Sequence, residues 1–328
     1  MQATKAHLCT PYLLLATAIF QALAVGAAPA ATLYWDGAVS SNWETASNWS
    51  MSNNAALPDP ATPPGTNDTA FFSISSDLDG ANPVLLTSDQ AVYGVTINPS
   101  NTAATVLQGG GADRTLTIGP GGLISEQGNS IGSTSAGQKV NVLLNGSQRW
   151  VGPRTGSGVL SIRNAISRQP LDSADRTLLL DVGLLNTQSA NLQGGVGDGG
   201  AAGALTLWKT GDGTLSLSAT NTHSGGTIVQ GGTLTVTTSA AMPTNGPLIL
   251  RGGQLYLSGP NANYTHNDLR IEAGVNTISM DAGATFDMGT ITRSGGTLRL
   301  ANPSGGTVEG RRTSRIPMTS AASWVPGC

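Results

Sequence analysis

The chain is poor in cysteine, charge, aromatic rings and histidine, and each shortage narrows what it can be. Only Cys9 and Cys328 occur in 328 residues. Cys9 lies in a leader-like segment and leaves with it, so no internal disulfide is expected and stability has to come from packing. Charged residues make up 11%, against about 25% in an average soluble domain. The formal net charge is −3, becoming −4 once Lys5 leaves with the leader, and no basic stripe offers itself to nucleic acid. His223 and His266 are the only histidines beyond the leader. No His-x-His or Cys-x-x-Cys spacing repeats, so neither a transition-metal site nor a cofactor is expected. Beyond residue 30 no segment is apolar enough to span a bilayer.

The first 30 residues have their own logic. Lys5 and His7 precede an apolar run over residues 12–25, and Ala28-Pro29-Ala30 supplies small residues around a cleavage point. This pattern predicts a secretory signal peptide over 1–30, cut before Ala31. A retained anchor is the rival reading, weakened by the short run and by Gln21 within it. The expected location is outside the cell or on its surface.

What the chain has in quantity is glycine, 44 residues, set between short runs that alternate apolar and polar. Residues 205–236 read LTLWKTGDGTLSLSATNTHSGGTIVQGGTLTV. Period-two alternation with β-branched residues predicts strands, and glycine supplies the backbone freedom of tight corners. Strands this short, with no helical pattern between them, point to coils that stack on one another.

That stretch resembles the autotransporter-associated β-strand repeat, also called the passenger-associated transport repeat. The resemblance rests on Lys209, Gly211, Gly213, Thr214 and Leu215, then Asn221 and Thr222, then Gly225, Gly226 and Thr227, and a closing Gly232, Thr233, Leu234 and Val236. Thr222-His223-Ser224 stands where such repeats often carry Thr-Tyr-Thr. The resemblance implies an exported, all-β, right-handed parallel β-helix, without implying any activity.

Spacing extends the pattern. One apolar series runs Leu205, Ile228, Leu248, Leu269, Ile291 and a second runs Leu215, Leu234, Leu255, Ile278, Leu298. Both step by about 21 residues, as stacked coils require. The expected organisation is a signal peptide over 1–30, then a Trp-rich cap and Pro-rich loop over 31–68. Irregular coils follow over 69–204, repeat coils over 205–310, and a tail without strand alternation over 311–328. In the irregular part, Thr115–Ile118, Val140–Leu144, Gly158–Ile162 and Thr177–Leu180 are read as coils 18 to 25 residues apart, with a separate N-terminal β-sandwich as the alternative. The tail, with Arg311, Arg312 and Arg315, reads as a truncation or frameshift of a longer repeat protein, with a freely secreted product as the other reading.

Chemistry-bearing residues are sparse. Trp35, Trp43 and Trp49 form either a plug for the first coil or, joined by Trp150, a platform for sugar rings. His223 reads as a solvated loop residue. Residues 194–200 (GGVGDGG) resemble a calcium nonapeptide, but the aspartate comes one position early and the unit occurs once, so a flexible loop is expected. Asp172, Asp175 and Asp181, beside Arg168 and Arg176, are the densest acidic group. Irregular spacing favours surface ion pairs over the paired carboxylates of a polysaccharide hydrolase or the calcium cluster of a lyase. The reading is therefore a structural or adhesive element without catalytic residues, whose partners are surface or extracellular polysaccharide or other repeat proteins. A carbohydrate-binding module and a β-helical polysaccharide enzyme are the alternatives.

Overall fold

A computed structural model describes residues 31–53, 58–72, 83–97, 107–154, 156, 158–200, 202–301 and 307–309. The signal-peptide and tail assignments lie outside these residues. The described chain is all-β and almost free of helix, with parallel strands wound into a solenoid of about 25 residues per turn. Among the described residues the strands form a 15-stranded, a 10-stranded and a 3-stranded sheet.

From residue 205 onward each coil gives one strand to each of the two larger sheets. In the repeat half, Leu205–Thr210, Thr227–Val229, Leu248–Arg251, Asp268–Ala273 and Thr290–Arg293 stack in the first sheet. Thr214–Leu217, Thr233–Val236, Gln254–Leu257, Val275–Met280 and Thr297–Ala301 stack in the second. Asn263–Thr265, Thr285–Asp287 and Thr307–Glu309 form the third. Residues at i and i+2 point to one side, so one apolar row per strand faces the lumen. Leu215, Leu234, Leu255 and Ile278 are each fully buried and sit in direct register.

The register corrects three steps of the sequence series. Thr227 pairs with Leu207 and Leu248, so the inward row runs Leu207, Thr227, Leu248, Leu269, Ile291. Leu205 lies two residues early, and Ile228 points outward. The second row ends on Leu300, because Ile278 pairs with Leu300 and Asn276 with Leu298. A threonine in an apolar row misdirects the first series, and two leucines at alternate positions, Leu298 and Leu300, misdirect the end of the second.

The earlier coils are longer than expected. Thr69 pairs with Gly94, Leu123 with Trp150, Gln148 with Leu178 and Arg176 with Leu205, steps of 25 to 30 residues rather than 18 to 25. These coils carry extra strands, Val140–Leu144, Ile166–Arg168 and Val196–Gly197, that stack among themselves. Strands read as successive coils therefore belong to different sides of one coil. The long strand Arg114–Ser125 forks, pairing Arg114–Ile118 with Val140–Leu144 and Leu123–Ile124 with Trp150–Val151. Parallel pairing from Ala31–Trp35 onward puts the described strands of the N-terminal half in the same sheets as the repeat coils.

The first coil is closed. Trp49–Ser50 pairs antiparallel with Tyr34–Trp35, across the edge that a parallel stack would leave open. Glu44 ties this region to the next coil, its Oε1 accepting from Thr87 N at 2.9 Å, Ser88 N at 2.7 Å and Gln90 Nε2 at 2.8 Å.

Candidate functional site

The residues that carry the repeat motif meet at the coil corners. In Leu205–Thr210, alternation turns Leu205, Leu207 and Lys209 inward, and all three are fully buried. Lys209 ends the strand by turning its ammonium into the corner. Its Nζ donates to the carbonyls of Thr210 at 3.2 Å, Gly211 at 2.8 Å and Gly231 at 3.1 Å. Gly231 belongs to the following coil, so one side chain holds two successive corners. Glycine at 232 is obligatory beside it, with φ at +54° and any Cβ only 2.3 Å from Gly213 O and 2.6 Å from Lys209 Nζ. Burial pushes the ammonium down to about 8, opposed by the charges of Asp181 and Asp212.

Asn221 does the same with an amide. Its Oδ1 accepts from Val196 N at 3.0 Å in the preceding coil. Its Nδ2 donates to Ala219 O at 2.9 Å and to Ala241 O at 2.7 Å in the following coil. Asn276 likewise reaches both neighbours, its Oδ1 accepting from Gly252 N and its Nδ2 donating to Thr297 O, while Asn164 bonds Val140 N and Ser133 O of the preceding coil. Buried corner backbone needs such partners, because an unpaired group costs about 1–3 kcal/mol.

His223 is not a solvated loop residue. It is fully buried, with Nε2 2.9 Å from Thr227 Oγ1. This contact explains how Thr227 occupies an inward position. Burial pushes the imidazole down to about 4 against favourable contacts with the Val196 backbone and Asp198, so the ring is neutral at pH 7. His266 is also buried and accepts from Asp268 N through Nδ1 at 3.1 Å. Among the described residues no three His, Cys, Asp or Glu side chains gather as a metal-binding group.

The glycine-rich stretch at 194–200 is tied down rather than flexible. Val196–Gly197 pairs with Ile166–Ser167. Asp198 Oδ1 accepts from Leu205 N at 2.7 Å, and both of its oxygens accept from Ser224 N at 3.1 Å. Burial would raise this carboxyl, but the hydrogen bonds from Ser224 and Leu205 hold it below the usual range.

The tryptophans are closed to sugar rings. Trp35 is 1% exposed, and Trp43, Trp49 and Trp150 are fully buried. Trp43 and Trp35 meet Trp49 edge-on, with centroids 4.9 and 5.1 Å away, and Phe72 packs against all three. Trp49 Nε1 donates to Trp43 O at 2.8 Å. None of these four indoles offers an exposed face to a sugar ring, and Trp35, Trp43 and Trp49 pack together inside the first coil.

The acidic group also disperses. Asp172 takes Arg176 through two bonds, 2.7 and 3.1 Å, and these hold its carboxyl below the usual range. Asp175 accepts from Ala204 N at 2.8 Å, and Asp181 accepts from Arg149 and Arg154. Arg168 is fully buried and donates to the carbonyls of Asp172, Ala174 and Gly203, again linking one coil to the next. Nothing in the spacing around Arg168 advertises this role, whereas the motif itself marks Lys209 and Asn221.

A parallel β-solenoid whose corners are locked by buried side chains is thus the class of molecule present. Residues 202–236 match the family model of the passenger-associated transport repeat, so the chain carries an autotransporter-associated repeat. No curated protein and no solved structure matches the chain. Among the described residues no helix is long and apolar enough to cross a membrane.

Proposed function

We propose that the chain is an exported solenoid of the autotransporter passenger type, working as a structural or adhesive element outside the cell or at its surface, without catalysis. The single observation that carries this reading is the transport repeat at 202–236, lying inside a stack whose corners bond to the coils before and after it. Each coil that docks buries an apolar row on its predecessor, which favours directional folding as the chain emerges from a membrane. Surface polysaccharide and other repeat proteins are the partners in this reading. The dispersed, internally bonded carboxylates at Asp172, Asp175 and Asp181 favour it over a polysaccharide enzyme.

Fractionation of cells that express the full chain tests the proposal. The expected product is extracellular or surface-exposed and begins at Ala31. A cytosolic product that keeps Met1 overturns export, and release of reducing sugar or unsaturated product from surface glycans overturns the absence of catalysis.

A further inference from the structure

Three backbone carbonyls converge on one point inside the repeat. The oxygens of Thr210, Gly211 and Gly231 lie 3.2, 2.8 and 3.1 Å from Lys209 Nζ. Two come from one corner and the third from the next coil. Gly211 and Gly232 both have positive φ, at +76° and +54°, conformations that let corner backbone turn in this way. The point is sealed, since Lys209 is fully buried.

Carbonyl oxygens arranged around a buried centre are the ligands that replace water around a large monovalent cation. An ammonium with three protons supplies three donors, one for each carbonyl. We propose that this corner is a monovalent-cation cage of the potassium and ammonium class, filled by the chain's own Lys209, and that the tethered cation couples two successive coils. Separations of 2.8 to 3.2 Å suit an ammonium or potassium ion, whereas sodium and lithium draw oxygens closer. Burial works against a charge in the cage, and the carboxylates of Asp181 and Asp212 offset part of that cost. The inference rests on the corner geometry alone and is independent of the export proposal.

Lys209→Ala empties the cage without removing an oxygen. Thermal unfolding of this variant and of the wild type, in lithium, sodium, potassium and ammonium chloride at equal ionic strength, tests the idea. The expected result is a midpoint several degrees below wild type in lithium and sodium, with part of the loss restored by potassium and ammonium. The wild type, its cage occupied, should respond equally to all four salts. A variant that melts identically in every salt, or as high as the wild type, overturns the proposal. A second measurement holds if the variant does not fold. Lys139, 44% exposed, is the other lysine beyond the leader, so mass spectrometry after amine acylation of the full wild-type chain compares the two. Lys209 should be acylated at least tenfold more slowly than Lys139, and equal rates overturn the proposal.

Discussion

At the scale of single residues, buried polar side chains govern this protein more than exposed ones. His223 sets a pH dependence whose sign follows from its burial. The unfolded chain binds a proton on this ring below pH 6.5, while the folded ring resists until about 4. Between those values the unfolded state holds more protons, so stability falls as pH drops. The loss reaches about 3 kcal/mol at about 1.4 kcal/mol per pH unit. His223→Tyr, which installs the residue common at this point of the repeat, should therefore lose less stability than wild type between pH 6.5 and 4 in urea titrations. Parallel losses in the two proteins would show that the ring does not carry the effect. Asn221→Ala removes bonds to three coils, leaving Val196 N, Ala219 O and Ala241 O short of partners. A loss of about 2–4 kcal/mol is expected, measured as a shift in the urea midpoint at unchanged slope.

At the scale of elements, the cap and the corners differ in how much they show in sequence. Trp49–Ser50 runs against the direction of the stack and closes its first edge, and Trp49 is the ring that both other cap tryptophans contact. Trp49→Ala should cost about 3–5 kcal/mol and raise light scattering on storage, because the first edge strand is then less well held. Stability within about 1 kcal/mol of wild type would contradict the cap's role. A cluster of tryptophans at one end of a repeat chain marked this plug, but composition alone did not separate plug from platform. Only packing decides whether an indole face is covered. In the repeat half, the rows at Leu215, Leu234, Leu255 and Ile278 were legible because each is an aliphatic residue at a strand centre. Thr227 was not, since its hydroxyl is satisfied inside by His223, a pairing four residues apart that leaves no periodic signature. The longer coils before residue 205 hid their period for a related reason. Their third strands, such as Val140–Leu144, have the same length and composition as strands of the main stack.

At the scale of the whole molecule, the chain is indexed by coils. Contacts run from each coil to its neighbours, and the side chains of Asn221 and Lys209 span only one step in either direction. Stability in such a stack is close to a sum of coil and interface contributions, so a whole coil is a removable unit and a part of one is not. Register places Leu207 beside Thr227 and Leu215 beside Leu234. Deleting residues 207–226 therefore joins Thr206 to Thr227 with every remaining inward residue still above an inward residue. Deleting only 207–216 joins Thr206 to Leu217 and throws the following segment out of register with the stack. Thermal unfolding of these two deletions, followed by the β-sheet circular dichroism signal, tests the account most directly. The whole-coil deletion should keep the native spectrum and a single cooperative transition at a lowered midpoint, while the half-coil deletion should lose the cooperative transition. Equal behaviour of the two would contradict a stack held by coil register.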